Sequence, residues 1–112
     1  MTFAGDIPQG SKVRFMKANF DKLTAAASKA AKQTKLGKKA TPVFSLLVSC
    51  VGRKLILGER IDEEVEAVID VLGGQTAIAG FYSYGEIAPF NEGGDCRLHN
   101  QTMTITSFYE LP

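Results

Sequence analysis

Apolar positions along the chain recur at two periods, and the switches between them divide it into elements. Residues 12–17 (K-V-R-F-M-K) set Val13 and Phe15 on one face and Lys12, Arg14 and Met16 on the other, the alternation of a strand. Asn19 then stands where a helix cap belongs. Behind it Phe20, Leu23, Ala27 and Ala30 form a stripe at helical spacing, the lysines at 22, 29, 32 and 35 lie away from that stripe, and Gly37 supplies a stop. A stripe so rich in alanine lets a helix lie close against a sheet. After Pro42, residues 43–51 (V-F-S-L-L-V-S-C-V) are almost continuously apolar, which predicts a central strand covered on both faces.

The second half repeats the alternation of helix and strand. Residues 53–58 (R-K-L-I-L-G) are long enough for one helical turn or a compact loop. Asp62 reads as the cap of a second helix, with Glu63, Glu64 and Glu66 near its positive end. Ile61, Val65, Val68, Ile69 and Leu72 form its apolar stripe, and Gly73-Gly74 ends it. Residues 76–87 predict one strand marked by Gly80 and Gly85, residues 91–96 (N-E-G-G-D-C) a turn, and residues 101–108 a half-buried strand alternating threonine with apolar residues. The expected fold is a single α+β domain over residues 1–112, with element order βαβαββ. It has a four-stranded, largely antiparallel or mixed sheet and two helices, and its last two strands are joined as an antiparallel hairpin.

Composition narrows the class. At 112 residues, 45% hydrophobic and 22% charged, with seven Phe and three Tyr, the chain has enough apolar material for one core and no low-complexity segment. It has no apolar run long enough to span a membrane, and its first residues lack the basic-then-apolar pattern of an export signal. Cys50 and Cys96 are too few for a disulfide scaffold and fit no metal-ligand spacing, so a reduced cytoplasmic protein without metal or cofactor is expected. Net charge is +1, but residues 1–56 carry eleven Lys/Arg against Asp6 and Asp21, net +9, and the remainder carries net −8. Without an aromatic RNA-binding pair, a zinc-finger spacing or a helix-turn-helix, this asymmetry does not predict nucleic-acid binding. It suits pairing of the two halves, within one chain or across a homodimer.

Two stretches carry candidate chemistry. On a strand, Tyr82, Tyr84 and Glu86 share a face, and a returning strand would set His99, Asn100 and Gln101 opposite them. Aromatic area with directional amides and a carboxylate suits a small ligand; the competing reading is a hydrogen-bond network that only holds the hairpin. The other stretch is S-C-V-G-R at residues 49–53, at the end of the central strand, where Gly52 would admit a ligand close to the backbone. By charge alone, Arg53 would meet a ligand carboxylate and Glu86 an ammonium. Cys50 would be a nucleophile only if Arg53 or His99 lowered its pKa; the commoner fate of such a residue is burial.

These residues carry a resemblance. S-C-V-G-R with Leu57-Gly58, G-F-Y-S-Y-G-E-I at residues 80–87, L-H-N-Q-T-M-T at residues 98–104 and the opening G-D-I-P-Q-G-S together closely resemble the FIST C domain. The resemblance implies a sensory domain of signal-transduction proteins that binds small ligands, amino acids among them, and is coupled to output domains. Family members carry a FIST N half upstream, absent from this chain, which therefore looks like the terminal part of a longer protein with an open sheet edge. The expected function is a non-catalytic ligand-sensing module built on Cys50, Gly52, Arg53, Tyr82, Tyr84, Glu86, His99, Asn100 and Gln101. The alternatives are a protein-interaction or dimerisation module and a cysteine-dependent enzyme.

Overall fold

The computed structural model describes residues 2–3, 5–35 and 40–111. Its elements in chain order are α1 (Phe20–Thr34), β1 (Phe44–Cys50), α2 (Val51–Leu57), a 3-10 turn (Gly58–Arg60), α3 (Ile61–Leu72), β2 (Ala77–Ser83), β3 (Glu86–Pro89), β4 (Cys96–His99) and β5 (Met103–Phe108). The α+β class holds, but the strands divide into a mixed three-stranded sheet ordered β2-β1-β5 and a separate β3-β4 pair, in place of one four-stranded sheet.

The first helix begins where the sequence places it. Asn19 has extended backbone, and its Oδ1 accepts the Lys22 amide at 2.8 Å, satisfying one of the orphan donors of the first turn. Its buried residues are Leu23, Ala27 and Ala31, so the stripe ends on Ala31 rather than the expected Ala30, while Phe20 stays exposed. The expected stop, Gly37, lies outside the described residues. Lys35 closes the described end, its Nζ donating to the Val71 carbonyl of α3 at 3.1 Å.

β1 is central, as its apolar run predicts, but it is covered on one face only. Ser45, Leu47 and Ser49 are buried beneath the helices, whereas Phe44, Leu46 and Val48 are half-buried on the opposite face, where the Phe44 and Phe108 rings lie 5.7 Å apart. Apolar side chains alone do not decide coverage; that requires a second layer, and α1 and α3 both pack on the same side. Leu47 meets Ala27, Ala31, Val68 and Leu72 there, with Val71, Ile78, Met103 and Ile105 around them. The two alanines are fully buried. They bring α1 close to the sheet and to α3.

β2 lies parallel to β1, with the α2–α3 crossover that a parallel pair needs, and β5 returns antiparallel on the other edge. The predicted strand over residues 76–87 is therefore two strands. Ser83 Oγ donates to Glu86 Oε2 at 2.8 Å and turns the chain out of the large sheet into the β3-β4 hairpin. Since residues 86–99 pair with themselves, β5 cannot be the hairpin partner of β2 and takes the far edge of β1 instead. α3 also departs from expectation. It continues directly from the 3-10 turn, so Asp62 sits inside the first turn and its Oδ1 accepts the Glu63 amide at 3.2 Å. Residues 12–17 form no strand: Val13 is exposed and Phe15 is 81% exposed. An alternating pattern needs a partner strand, and none of the described residues pairs with it.

Gly80 sets the closeness of β1 and β2. It faces Leu47 in the register, and a Cβ at Gly80 would run into the Leu47 carbonyl oxygen and Cβ. Gly80→Ala is therefore expected to destabilise the fold by about 3 kcal/mol, measured by urea denaturation. An unchanged midpoint would show that the two strands can part at no cost.

Candidate functional site

Where β1 ends, the chain turns without a loop from Cys50 into α2, placing Arg53 one turn above the strand end. Arg53 points inward. Its Nε donates to Glu64 Oε2 at 2.8 Å, its Nη2 to the Leu23 carbonyl at 2.6 Å and its Nη1 to the Gln101 carbonyl at 3.4 Å. Ser49 Oγ donates to the second Glu64 oxygen at 2.7 Å. With side-chain exposures of 2% and 0%, the two charges have lost their water, and these bonds are what compensates. Among the described residues no buried side-chain polar atom lacks a partner.

Sequence reasoning assigned Arg53 to a ligand and Glu64 to the helix dipole, and the structure gives both another role. Arg53 ties α2 to α1, α3 and the β4–β5 connection. Glu64 is the buried counter-charge that the sequence reading missed. A signal was present: Glu64 lies four residues before Val68 and eight before Leu72, on the buried stripe of its own helix. Tyr82 stands beside this pair. Burial, and next the nearby Glu64 charge, push its phenol pKa up from the usual tyrosine range, and the Lys54 ammonium lies 5.2 Å from its ring centre.

The other predicted residues divide into those drawn into the frame and those outside it. Glu86 is buried and already holds two hydroxyls, Ser83 Oγ on one oxygen at 2.8 Å and Thr102 Oγ1 on the other at 2.7 Å, so it stands as an anchor of the hairpin rather than a free carboxylate. His99 is opposite Glu86 in the register, as the sequence suggests, and its Nε2–H donates to the Ala88 carbonyl at 2.9 Å. Ser83 and Thr102 were not foreseen. Gly52, Cys50 and Gln101 do come together: a Cβ on Gly52 would sit 3.3 Å from Gln101 Cγ and 3.6 Å from Cys50 Sγ. Cys50 is buried, whereas Cys96 is exposed. Tyr84 is 90% exposed, and Asn100 is exposed beside Gln101.

Gln101 is held at φ 55°, a left-handed conformation that costs a non-glycine residue about 1–2 kcal/mol. The Arg53 bond to its carbonyl and the contact with Gly52 hold it there. This kink directs the chain from the hairpin into β5 and forms one end of an open groove of about 830 Å³ between α1, β5 and the hairpin. Arg53, His99 and Gln101 line the groove, together with Lys29 from α1, Glu92 from the hairpin turn and Thr104 from β5. Cys50, Gly52, Tyr82, Tyr84, Glu86 and Asn100 are not among its lining residues. No group of three His, Cys, Asp or Glu among the described residues is arranged to hold a metal ion, and no described helix is long and apolar enough to cross a membrane.

Removing one member of the buried pair leaves the other charged and unpaired. Arg53→Ala and Glu64→Ala should each cost about 3–5 kcal/mol, whereas the Arg53→Met/Glu64→Leu double variant, which removes both charges and keeps the volume, should lose much less than the sum. Urea denaturation of the single and double variants reads the coupling directly; strictly additive losses would contradict it.

The comparisons with known proteins bear on the family and not on the roles of individual residues; the L-H-N-Q-T-M-T segment lies beyond the matched range. No curated protein and no solved structure shows significant similarity to the chain. The family model of the FIST C domain matches residues 1–89, ending on the last residue of β3. That match covers well over half of the 112 residues, and the chain belongs to the FIST C domain family, a domain of sensory signal-transduction proteins.

Proposed function

We propose that this domain is the ligand-sensing part of a cytoplasmic signalling protein and that its ligand is a small zwitterion such as an amino acid, bound without chemical conversion. The observation that carries the proposal is the groove between α1, β5 and the hairpin. It is an open trough of about 830 Å³, so what favours a small ligand there is the groups that line it rather than enclosure. Lys29 and Glu92 enter it from different elements and offer opposite charges, Lys29 for a carboxylate and Glu92 for an ammonium. Gln101 supplies a neutral amide donor and acceptor between them. In this reading Arg53 and Glu86, already bonded within the protein, fix the walls, and the exposed residues do the binding.

The same placement argues for binding over catalysis. The Cys50 thiol is buried, and the ring Nε2 of His99 is spent on the Ala88 carbonyl. The groove also suggests how a signal leaves the site. A ligand held between α1 and the hairpin would bias the Gln101 kink, which Arg53 connects to α1 and α3. An upstream FIST N half or an output domain would read that change. The uncovered side of the large sheet, with Phe44, Phe81 and Phe108 on it, favours a second reading in which the domain acts as a protein-interaction module.

A thermal-shift screen of free amino acids tests the proposal, because a ligand that binds only the folded state raises the melting temperature. At least one amino acid should raise it by several degrees, and Lys29→Ala and Glu92→Gln should each abolish the shift while leaving the unliganded melting temperature unchanged. No shift with any amino acid, or a shift preserved in both variants, would overturn the zwitterion site.

A further inference from the structure

The β3-β4 hairpin is incomplete as a sheet. Its register pairs Ile87 with Leu98 and Pro89 with Cys96, so one face carries only these four apolar residues, and all four are exposed, Ile87 at 72% and Leu98 at 54%. The opposite face carries Glu86, Ala88, Arg97 and His99, and Glu86 and Thr102 anchor it to the start of β5. Each strand is four residues long, and among the described residues no strand pairs with β4 except β3. A two-stranded pair this short is marginal in water, and a third strand is the usual remedy.

The chain also holds a strand-like segment with no sheet. Residues 12–17 alternate apolar and basic side chains, yet Val13, Phe15 and Met16 are exposed and the segment forms no ladder. An isolated exposed Phe is ordinary. An alternating segment and an open strand edge in the same molecule are complementary.

We propose that two copies of this chain associate by strand exchange, residues 12–17 of each copy adding as the third strand beside β4 of the other. Val13 and Phe15 then lie on the face of Ile87, Cys96 and Leu98, and the backbone groups along β4 find partners. Each copy carries one donor segment and one acceptor edge, so the exchange closes as a two-fold dimer with both edges filled. Charge favours a second copy in this position. The end of the segment that meets the turn opening β4, Lys12 or Lys17 according to the direction of the added strand, lies near Glu92 and Asp95, which are exposed there, and the whole chain repeats that complementarity between its basic first half and its acidic second half. Arg97 is the like charge on β4; it shares the face of Lys12 and Arg14, opposite the apolar contact, where these exposed side chains reach into solvent. The chain's own segment runs on into α1 at Asn19 and leaves β4 unpaired in the folded monomer.

The exposed native Cys96 makes the arrangement testable. Val13→Cys and Phe15→Cys, prepared singly, are treated with a mild added oxidant and analysed by non-reducing electrophoresis and peptide mapping. The unoxidised parent chain and Phe15→Asp are run by sedimentation velocity. The parent chain should sediment as a dimer, and at least one cysteine variant should form a covalent dimer joined from its new cysteine to Cys96, lost on adding Cys96→Ser. Phe15→Asp should sediment as a monomer with an unchanged far-ultraviolet circular dichroism spectrum, since Phe15 lies outside the monomer core. A monomeric parent chain, a disulfide closed within one chain, or a dimer that survives Phe15→Asp without forming either cross-link would overturn strand exchange.

Discussion

The fold depends on one buried ion pair. Arg53 and Glu64 leave water completely and recover that cost only because every strong acceptor around the guanidinium is supplied: a carboxylate oxygen, a helix carbonyl and a loop carbonyl. These partners come from α3, α1 and the β4–β5 connection, and Ser49 at the end of β1 holds the other carboxylate oxygen. A purely apolar core would hold helices and sheet together with equal strength and less direction. Hydrogen bonds at fixed angles instead set where α1 begins over the sheet and where the chain turns into β5. The hydrophobic cluster around Leu47, with its two fully buried alanines, then closes the gap.

From that pair follows the division of labour in the site. The charged groups most visible in the sequence, Arg53 and Glu86, are saturated by the protein and act as frame. The groups left facing the groove, Lys29, Glu92 and Gln101, come from three separate parts of the chain that the frame brings together. The strained backbone of Gln101 sits at their junction. A residue held in a left-handed conformation by its surroundings is a suitable place for a ligand to act, because a small change in those surroundings alters its cost.

Much of this was legible in the sequence wherever the element carried its own period. α1 with its Asn19 cap, the apolar run of β1, the extent of α3 and the alternating β5 follow from spacing alone, but of the expected α3 stripe only Val68 and Leu72 are buried, with Glu64 beside them and Ile69 exposed. What escaped depends on contacts between distant segments. The break between β2 and β3 rests on the Ser83–Glu86 hydrogen bond, and nothing in a run of aromatic and small residues shows it. Residues 12–17 have the pattern of a strand without its partner, and β1 has the composition of a two-sided strand without a second layer. The site was found in part for the same reason. Strand-end glycine and hairpin histidine were visible locally, whereas Glu64, Ser83 and Thr102 gain their roles only when the fold brings them to Arg53 and Glu86.

Hydrogen exchange of the Arg53→Met variant against the parent chain tests the central claim most directly. If the pair fixes the arrangement, protection should fall together in the first turns of α1 around Leu23, in α3 around Glu64 and in residues 100–103, while the β1-β2 ladder keeps its protection. Loss of protection confined to α2, with those three regions unchanged, would contradict the account and place the organising constraint in the hydrophobic core alone.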